Sequence, residues 1–578
     1  MRKYFFTKIA LPLFFGLSLP LFARSAQELV RSGHWVYDSL TAVSLDAGVL
    51  NFSGTAPVTI KQIQLYLDEI DYDALSEVGK SEFDRIQRYF SEEPFKAVDT
   101  DIVSLGLEPS LNLSGFYKSE DEIDWVFDRY ARRPLIYMPV TIAAGDYAAM
   151  SMDVLLGQNK GTSLHNDNYS DIITSADQID NAFPDTGYFS AAYMLTERTG
   201  IGFQLGRGSR SVGRTLTGSM IWSDYLTGVS YGQLELFSPG FKYTGAVSQF
   251  NVDKYMYHHQ IDARFFNKKL QVSFIEGLLV NAPMELRYLN PWMIFHGFAA
   301  WREYEPDDDD PESHTCDYFG VSLQFTPVRY TRFYGTFAMT QYQTPYEKSN
   351  WSDSPTPDGL GAQVGNETYV PVGRGRFHLA FEGSWANPYL YIKESPNWSM
   401  VRTYSENMGD KAIFYEWLGS PFGPDTLSAE VTVGYEVPER WSLDFVYLFM
   451  ARGENSGTNV FDRLYKATGW GGQKTYFDYS VSYDKNGEKI LNPYLANWAY
   501  PDKDYQSNWK ALRDLVAPSG TVEYVNRLSL KGSWQPKSWL SFSAQPSYVV
   551  IFNRHNEPKN TVRGFEVACA ISVNFIKF

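Results

Sequence analysis

The chain has 578 residues, of which 44 % are hydrophobic and 16 % aromatic, and its formal net charge is −16. Such a charge disfavours nucleic acid as a partner of the whole chain, because a polyanion is repelled by it. Only two cysteines are present, and this number excludes a disulfide-rich scaffold.

The N-terminus has the pattern of a secretory signal peptide. Arg2, Lys3 and Lys8 precede an apolar run over residues 9–22. Ala23 and Ser25 are small residues at the −3 and −1 positions of a cut after Ser25. We therefore predict a cleaved leader over residues 1–25. A membrane anchor is the alternative, but the run is shorter than the roughly 20 apolar residues of a spanning helix.

The rest of the chain contains no second apolar run of that length, and the mean hydropathy is −0.31. Such a chain is either soluble or spans a membrane as a closed β-barrel, in which every backbone amide finds a partner inside the sheet. The aromatic content, 40 Tyr, 39 Phe and 15 Trp, favours a barrel with aromatic girdles at both membrane interfaces.

Residues 26–115 have helical rather than alternating periodicity. Trp35, Tyr37 and Leu40 begin an apolar series that Gly48 ends as a helix stop. Thr59 is placed to cap a second helix, and a charged third helix is predicted over residues 74–90. We expect a small α-helical domain here, in the periplasm.

From about residue 120 the apolar period changes to two. Between Leu427 and Phe449, apolar and polar residues alternate on both sides of a tight turn at 437–440. A second hairpin of this kind lies between Leu528 and Tyr548. Long polar connections, such as 342–372 and 451–520, separate the hairpins. Short turns on one rim and long loops on the other are typical of outer-membrane barrels.

These patterns predict an all-β transmembrane barrel over residues 120–578, with roughly 16–20 antiparallel strands at about 25 residues per strand and loop. The final segment alternates as a last amphipathic strand should, from Phe565 to Phe575. Phe578 is out of phase with this strand, and a bulge near Ile576 would restore its direction.

Several segments, in order, resemble the Wzi-type capsule assembly barrels. Residues 188–225 look like that family's strand followed by a glycine- and arginine-containing loop. Residues 257–280 are similar to its next strand pair, in which Glu276 occupies the place of a strand-ending Glu. Leu289-Asn290-Pro291 matches a Tyr-Leu-Asn-Pro stretch, and the likeness continues to about residue 450. The resemblance implies a non-catalytic outer-membrane protein that binds, anchors or helps to assemble surface polysaccharide.

Four residues are candidates for ligand binding. Arg207, Arg210 and Arg214 lie in a glycine-containing segment, and guanidinium groups bind carboxylates and phosphates through paired hydrogen bonds. With Glu276, they would form a polar patch in the lumen or loops for an acidic sugar. The alternative is a structural ladder in which these arginines pair with inward-facing Asp and Glu.

No residue pattern predicts a metal, a cofactor or a catalytic group. His258 and His259 are adjacent, and neighbours on a strand point to opposite faces. The acidic run 307–310 lacks the ligand spacing of a calcium loop and is expected to be a solvated loop. A transport channel is the main alternative function, and an outer-membrane hydrolase is a third.

The expected location is therefore the bacterial outer membrane, with long loops at the cell surface. The expected partners are surface polysaccharide, outer-membrane lipid and the barrel insertion machinery. We expect a monomer that does not bind nucleic acid.

Overall fold

Antiparallel strands joined to their chain neighbours form the body of the molecule. The structure is a computed structural model that describes residues 24–92, 94–100, 102–123, 134–158, 168–179, 186–295, 315–350, 357–393, 399–408, 410–454, 479–483, 489–493 and 513–575. In these residues, 18 strands close into one barrel, and the last strand pairs with the first, with Asn574 opposite Ser110. The predicted barrel fold and its strand number are confirmed, although the first strand, Ser110–Lys118, begins before the predicted start near residue 120 and overlaps the predicted helical domain of residues 26–115.

The barrel strands are numbered in chain order. They are β1 Ser110–Lys118, β2 Ile136–Ala144, β3 Ala148–Leu156, β4 Gly187–Met194, β5 Gly200–Gly208, β6 Val229–Phe237, β7 Phe241–Asn251, β8 Lys254–Phe265, β9 Leu270–Val280, β10 Thr315–Phe325, β11 Thr331–Gln341, β12 Gly359–Val372, β13 Gly375–Ala386, β14 Thr426–Val437, β15 Trp441–Arg452, β16 Glu523–Lys537, β17 Leu540–Phe552 and β18 Thr561–Asn574.

The alternation seen in the sequence is the alternation between the two faces of the barrel wall. In the β14–β15 hairpin, Val437 pairs with Trp441 across the predicted turn. Leu443 and Phe445 point outward and are 46 % and 45 % exposed, whereas the inward Thr432 is buried. An apolar exterior with a polar interior is the pattern of a membrane barrel. Phe578 lies outside the described residues.

The two rims of the barrel differ. One rim, the short-turn rim, has connections of two to five residues, such as 145–147, 266–269 and 438–440, and it also holds the first residue of β1 and the last of β18. The opposite rim, the long-loop rim, has the long connections, including 209–228, 281–314 and 387–425. A two-residue turn at 252–253 is an exception on this rim.

Three helices precede the barrel, as expected: α1 Trp35–Asp46, α2 Ile60–Leu67 and α3 Glu77–Ser91. Each begins at a residue whose side chain accepts a backbone N–H: His34 from Val36, Thr59 from Gln62 and Ser76 from Gly79. Such caps satisfy amides that the first helical turn leaves unpaired. The predicted cap at Thr59 is therefore present.

The helical region, residues 24–92, lies across the short-turn rim and reaches into the lumen; we call it the plug. Asp46 of the plug pairs with Arg329 in the turn before β11, at 2.6 Å. Gln62 reaches further inside, where it contacts Lys242 at 3.2 Å. The apolar core of the plug is formed by buried residues of all three helices, among them Leu40, Ile63 and Ile86. No helix in the described part of the chain is long and apolar enough to cross a membrane.

Smaller elements accompany the 18 barrel strands, and three of them, Phe95–Asp99, Ser104–Leu107 and Asn168–Ser170, extend the sheet of the wall beside β1 and β2. The smaller elements are the strands Leu29–Val30, Thr55–Ala56, Val58–Thr59, Phe95–Asp99, Ser104–Leu107, Asn168–Ser170, Ser211–Val212, Val401–Met408, Asp410–Trp417, Tyr479–Tyr483 and Lys489–Pro493, the helix Pro345–Asn350, and the 3-10 turns Tyr72–Ala74, Ala176–Gln178, Leu286–Leu289 and Arg554–Asn556.

Candidate functional site in the barrel lumen

The connection 209–228 between β5 and β6 folds into the lumen; we call it the inner loop. Its residues Ser211 and Val212 pair with Ala56 and Thr55 of the plug as a two-residue antiparallel ladder. Elements from the two ends of the barrel therefore meet inside it.

A buried carboxylate on the wall holds the inner loop in place. Glu382 of β13 accepts hydrogen bonds from the backbone N–H of Leu216 at 2.6 Å and of Thr217 at 3.0 Å. Tyr334 and Gln363 also donate to Glu382, at 2.5 and 2.8 Å. These donors satisfy a carboxylate that is only 1 % exposed, as buried charges require.

An apolar cluster fills the lumen beside the long-loop rim. It combines the inner loop, the inward face of the wall and the connection 387–425. All of its fully buried members are at most 4 % exposed: Val212, Met220, Ile221, Trp222, Leu226, Val229, Phe250, Met256, Ile275, Leu279, Cys316, Tyr318, Ala338, Ala386, Leu390, Tyr391, Met400 and Leu418. An apolar interior of this kind is packed protein and not an aqueous channel.

Arg210 lies beside this cluster and is 5 % exposed. Its guanidinium carbon is 4.9 Å from the ring centre of Tyr231 and 5.6 Å from that of Trp222. Burial lowers the pKa of Arg210, while Tyr231 and Glu235 oppose that shift. Its Nη1 atom has no hydrogen-bond partner among the described residues. A buried guanidinium with an unsatisfied N–H is able to bind a further acceptor.

The inward faces of β4 to β8 contribute more polar atoms of this kind. Ser190, Gln204 and His258 occupy one row across the sheet, since Ser190 pairs with Gln204 and, two strands further on, Ala246 pairs with His258. Atoms here that lack a hydrogen-bond partner in the described part of the chain include Ser190 Oγ, Gln204 Oε1 and Nε2, Thr244 Oγ1, Ser248 Oγ, His258 Nδ1 and Nε2, and, from the inner loop, Trp222 Nε1. Buried polar atoms are normally satisfied by protein, water or ligand. We call Arg210 and these residues the lumen site.

Arg214 is also inside the barrel, but in a different environment. Its Nη2 atom lies 2.6 Å from Asp38 of the plug. Although burial works against its charge, Asp38 and Glu367 raise the pKa of Arg214. Arg214 thus pairs with a carboxylate, as in the structural alternative to ligand binding. The pair joins the inner loop to the plug.

The other two predicted residues are on the outside of the wall. Arg207 has the same strand phase as Leu205, which is 56 % exposed, and it therefore points outward. Glu276 has the phase of Phe274, which is 39 % exposed, and it points outward as well. The four residues do not form one patch. The period of two along β5 and β9 predicts these directions, which the motif spacing alone does not.

Sequence reasoning missed the residues that surround Arg210. Trp222 and Tyr231 come from the inner loop and from β6, and only the folding of the inner loop brings both rings beside Arg210. Aromatic rings, neutral hydroxyls, amides and a guanidinium offer apolar faces together with many hydrogen-bonding atoms. Such a set suits water or a hydroxyl-rich ligand. Within the described residues, no group of three or more His, Cys, Asp and Glu is placed to hold a metal ion.

Comparison with known proteins shows the fold and not the family. No protein-family profile and no curated protein matches the chain. Among solved structures, it resembles Wzi, an outer-membrane protein involved in group 1 capsule assembly in Escherichia coli and described as a carbohydrate-binding β-barrel. The TM-score is 0.56 at 10 % identity, over 95 % of this chain and 99 % of Wzi.

Two further outer-membrane proteins are more distant matches. The DcaP channel of Acinetobacter baumannii has a TM-score of 0.33 and 9 % identity, over 83 % of this chain and 99 % of DcaP. OpdK of Pseudomonas aeruginosa has 0.35 and 9 %, over 81 % and 98 %. The likeness to Wzi shows the fold, which is that of a bacterial outer-membrane barrel.

Proposed function

We propose that this protein is an outer-membrane barrel that binds surface polysaccharide and helps to anchor or assemble it, without catalysing a reaction. The main observation behind this proposal is that the lumen is filled. The plug lies across one rim, the inner loop occupies the interior, and an apolar cluster packs the inner loop against the wall and the connection 387–425. A barrel of 16–18 strands has room for an aqueous channel only if its loops leave the lumen open.

The orientation follows from the general architecture of such barrels, in which short turns face the periplasm and long loops face outside. The plug is then periplasmic, and the long-loop rim is at the cell surface. A likeness to a carbohydrate-binding barrel that covers 95 % of the chain supports glycan as the ligand. The polysaccharide would contact the long-loop rim.

The lumen site lies behind that rim. Its aromatic rings and neutral polar atoms match the surface of a sugar, and Arg210 supplies a positive charge for a carboxylate. We propose that it takes an acidic sugar unit of the polymer after the inner loop moves aside, because Arg210 is only 5 % exposed behind the apolar cluster.

The first test uses the whole protein. The purified full-length barrel is titrated with surface polysaccharide from its own host, and the cell-surface polysaccharide of a deletion strain is compared with that of its parent. We expect binding in the first experiment and reduced or mislocated polysaccharide in the second. Undetectable binding together with unchanged surface polysaccharide would contradict the proposal.

The second test separates binding from transport. In planar bilayers the purified barrel is expected to give no stable conductance steps, whereas a diffusion channel gives them. The Arg210→Gln variant is expected to bind glucuronate-containing oligosaccharide about tenfold more weakly, since charge-assisted hydrogen bonds contribute about 1.5–3 kcal/mol. Arg214→Gln is the matched control, because Arg214 is already paired with Asp38. Equal binding by wild type and Arg210→Gln would remove the lumen site from the proposal.

A further inference from the structure

A groove of about 550 Å³ lies on the outer face of the wall, across β3 to β8. Its lining is mostly apolar, and Met150, Phe189 and Leu205 are 48 %, 39 % and 56 % exposed. Gly232 contributes to its floor: a Cβ placed there would meet nothing nearer than Leu205 Cδ1, at 3.6 Å. The volume is within the range of small-molecule sites, about 300–1,000 Å³.

Strand register arranges the groove into two rows. In the row nearer the long-loop rim, Arg207 lies between Gly187 and Ser230, and Gln249 and Tyr255 continue the row. The next row, toward the short-turn rim, contains Met150, Phe189, Leu205, Gly232 and Val247. The groove is therefore polar toward the long-loop rim and apolar below it.

The segment after β9, residues 281–295, forms one border of the groove. It folds back over the outside of the wall, and its Tyr288 and Phe295 cover the outward-facing Tyr257 and Leu278, which are 1 % and 0 % exposed. Met284 of this segment lines the groove. The border is thus a segment that packs against the wall and not a single exposed side chain.

Arg207 is the positive charge in this groove. A charge on the lipid-facing side of a barrel is costly at the middle of the bilayer and much less so near its interfaces. Arg207 is the penultimate residue of β5, which places it toward the interface at the long-loop rim. A guanidinium has five N–H donors, so it binds a phosphate through two of them while others serve the chain.

We propose that this groove binds a phosphorylated, acylated glycolipid of the outer leaflet. Arg207 binds the phosphate, and the hydroxyls of Ser230 and Tyr255 and the amide of Gln249 meet the sugar headgroup. An acyl chain lies over Gly232, between Met150 and Met284. The site depends on the barrel fold and is independent of polysaccharide binding.

The test titrates the full-length protein, in an uncharged detergent, with a bisphosphorylated, acylated diglucosamine lipid and measures bound lipid by native mass spectrometry. Arg207→Gln removes the charge, and Gly232→Phe fills the groove. Each is expected to weaken binding at least about tenfold. Gly383→Phe is the matched control, because Gly383 also faces outward and a Cβ there would meet nothing nearer than 3.8 Å.

Three results would overturn the assignment. One is wild-type affinity in both Arg207→Gln and Gly232→Phe. Another is equal affinity for the dephosphorylated lipid, which would remove the role of Arg207. The third is equal affinity for phosphatidylglycerol, which would show that the sugar headgroup is not recognised. Heat-modifiable migration in gels verifies that each variant is a folded barrel, and Gly232→Phe tests the groove even if Arg207→Gln does not fold.

Discussion

Glu69 at the end of α2 forms an ion pair with Arg264 of β8, with Oε2 and Nη2 2.6 Å apart. The same carboxylate contacts Arg198 at 2.5 Å and Lys268 at 3.2 Å, on two different turns of the short-turn rim. One plug side chain thus binds cations from three places on the barrel. Arg264 and Glu69 are 3 % and 7 % exposed in their side chains, and the pair is shielded from salt.

We expect Glu69→Ala to loosen the plug by about 3 kcal/mol, because it leaves a buried guanidinium without its carboxylate. Hydrogen exchange in α2 measures the change. Glu77→Ala is the control: Glu77 is 91 % exposed and its contact with Lys80 is 3.3 Å, so its removal should have little effect. Equal exchange in the two variants would contradict the proposed anchor.

The Glu69 pair also predicts a pH dependence of plug docking. Burial works to raise the pKa of Glu69, but Arg264 and Lys268 outweigh it and lower the pKa. A carboxyl whose folded pKa is lowered stabilises the fold above its unfolded pKa, about 4.3, and this stabilisation is lost as the pH falls through the folded pKa. Docking of the plug should weaken below about pH 4.3, and Glu69→Gln should lack this component.

The stability of α1 should also depend on pH, at milder pH values, because its cap is His34. Burial, followed by the nearby arginines, lowers the pKa of His34 to about 3. Since an unfolded His has a pKa of about 6.5, the unfolded state binds more protons between these values, and α1 loses stability as the pH falls from 6.5. The groups that face His34 are Arg24, Arg31, Arg85, Asp38, Trp35 and Tyr89.

The measurement is the protection factor of α1 amides between pH 7 and pH 5, where carboxylates titrate little. His34→Asn retains a capping side chain but has no titrating group. We expect it to flatten the pH dependence, and an unchanged slope would assign the effect to another residue.

Glu382 is expected to keep the lumen closed, because it holds the inner loop in place. Its loss leaves the backbone N–H groups of Leu216 and Thr217 without their acceptor, at a cost of about 1–3 kcal/mol each. We expect Glu382→Ala to release the inner loop and to produce transient conductance steps in planar bilayers. Thr432→Ala, at another buried inward position, is the control. Silence in both variants would show that Glu382 does not keep the lumen closed.

Arg24 bears on where the leader ends. Its guanidinium binds Glu108 through two hydrogen bonds, at 2.5 and 2.7 Å, and lies 4.4 Å from the ring centre of Tyr89. A cut after Ser25 would remove these contacts. The cut after Ser25 that the sequence pattern predicts stays the expectation, and the intact mass of the protein from outer membranes is the measurement. A mature chain that begins at Arg24 would contradict this expectation.

The sequence by itself determined the barrel, its hairpins and the start of α2, because these depend on local rules. A period of two assigns Leu443 and Phe445 to one face of a strand, and a threonine before an apolar series marks a helix start at Thr59. Neither inference requires knowledge of distant residues.

Only the tertiary structure decided the position of the four candidate residues relative to one another. Strand phase places Arg207 outside, but β5 ends at Gly208, and alternation carries no information beyond a strand's end. Arg210 therefore takes its place from the inner loop, whose path depends on Glu382 and the plug. Leu278, two residues beyond Glu276 on the same face of β9, is covered by Tyr288 and Phe295, because a long connection is positioned by contacts that are remote in sequence.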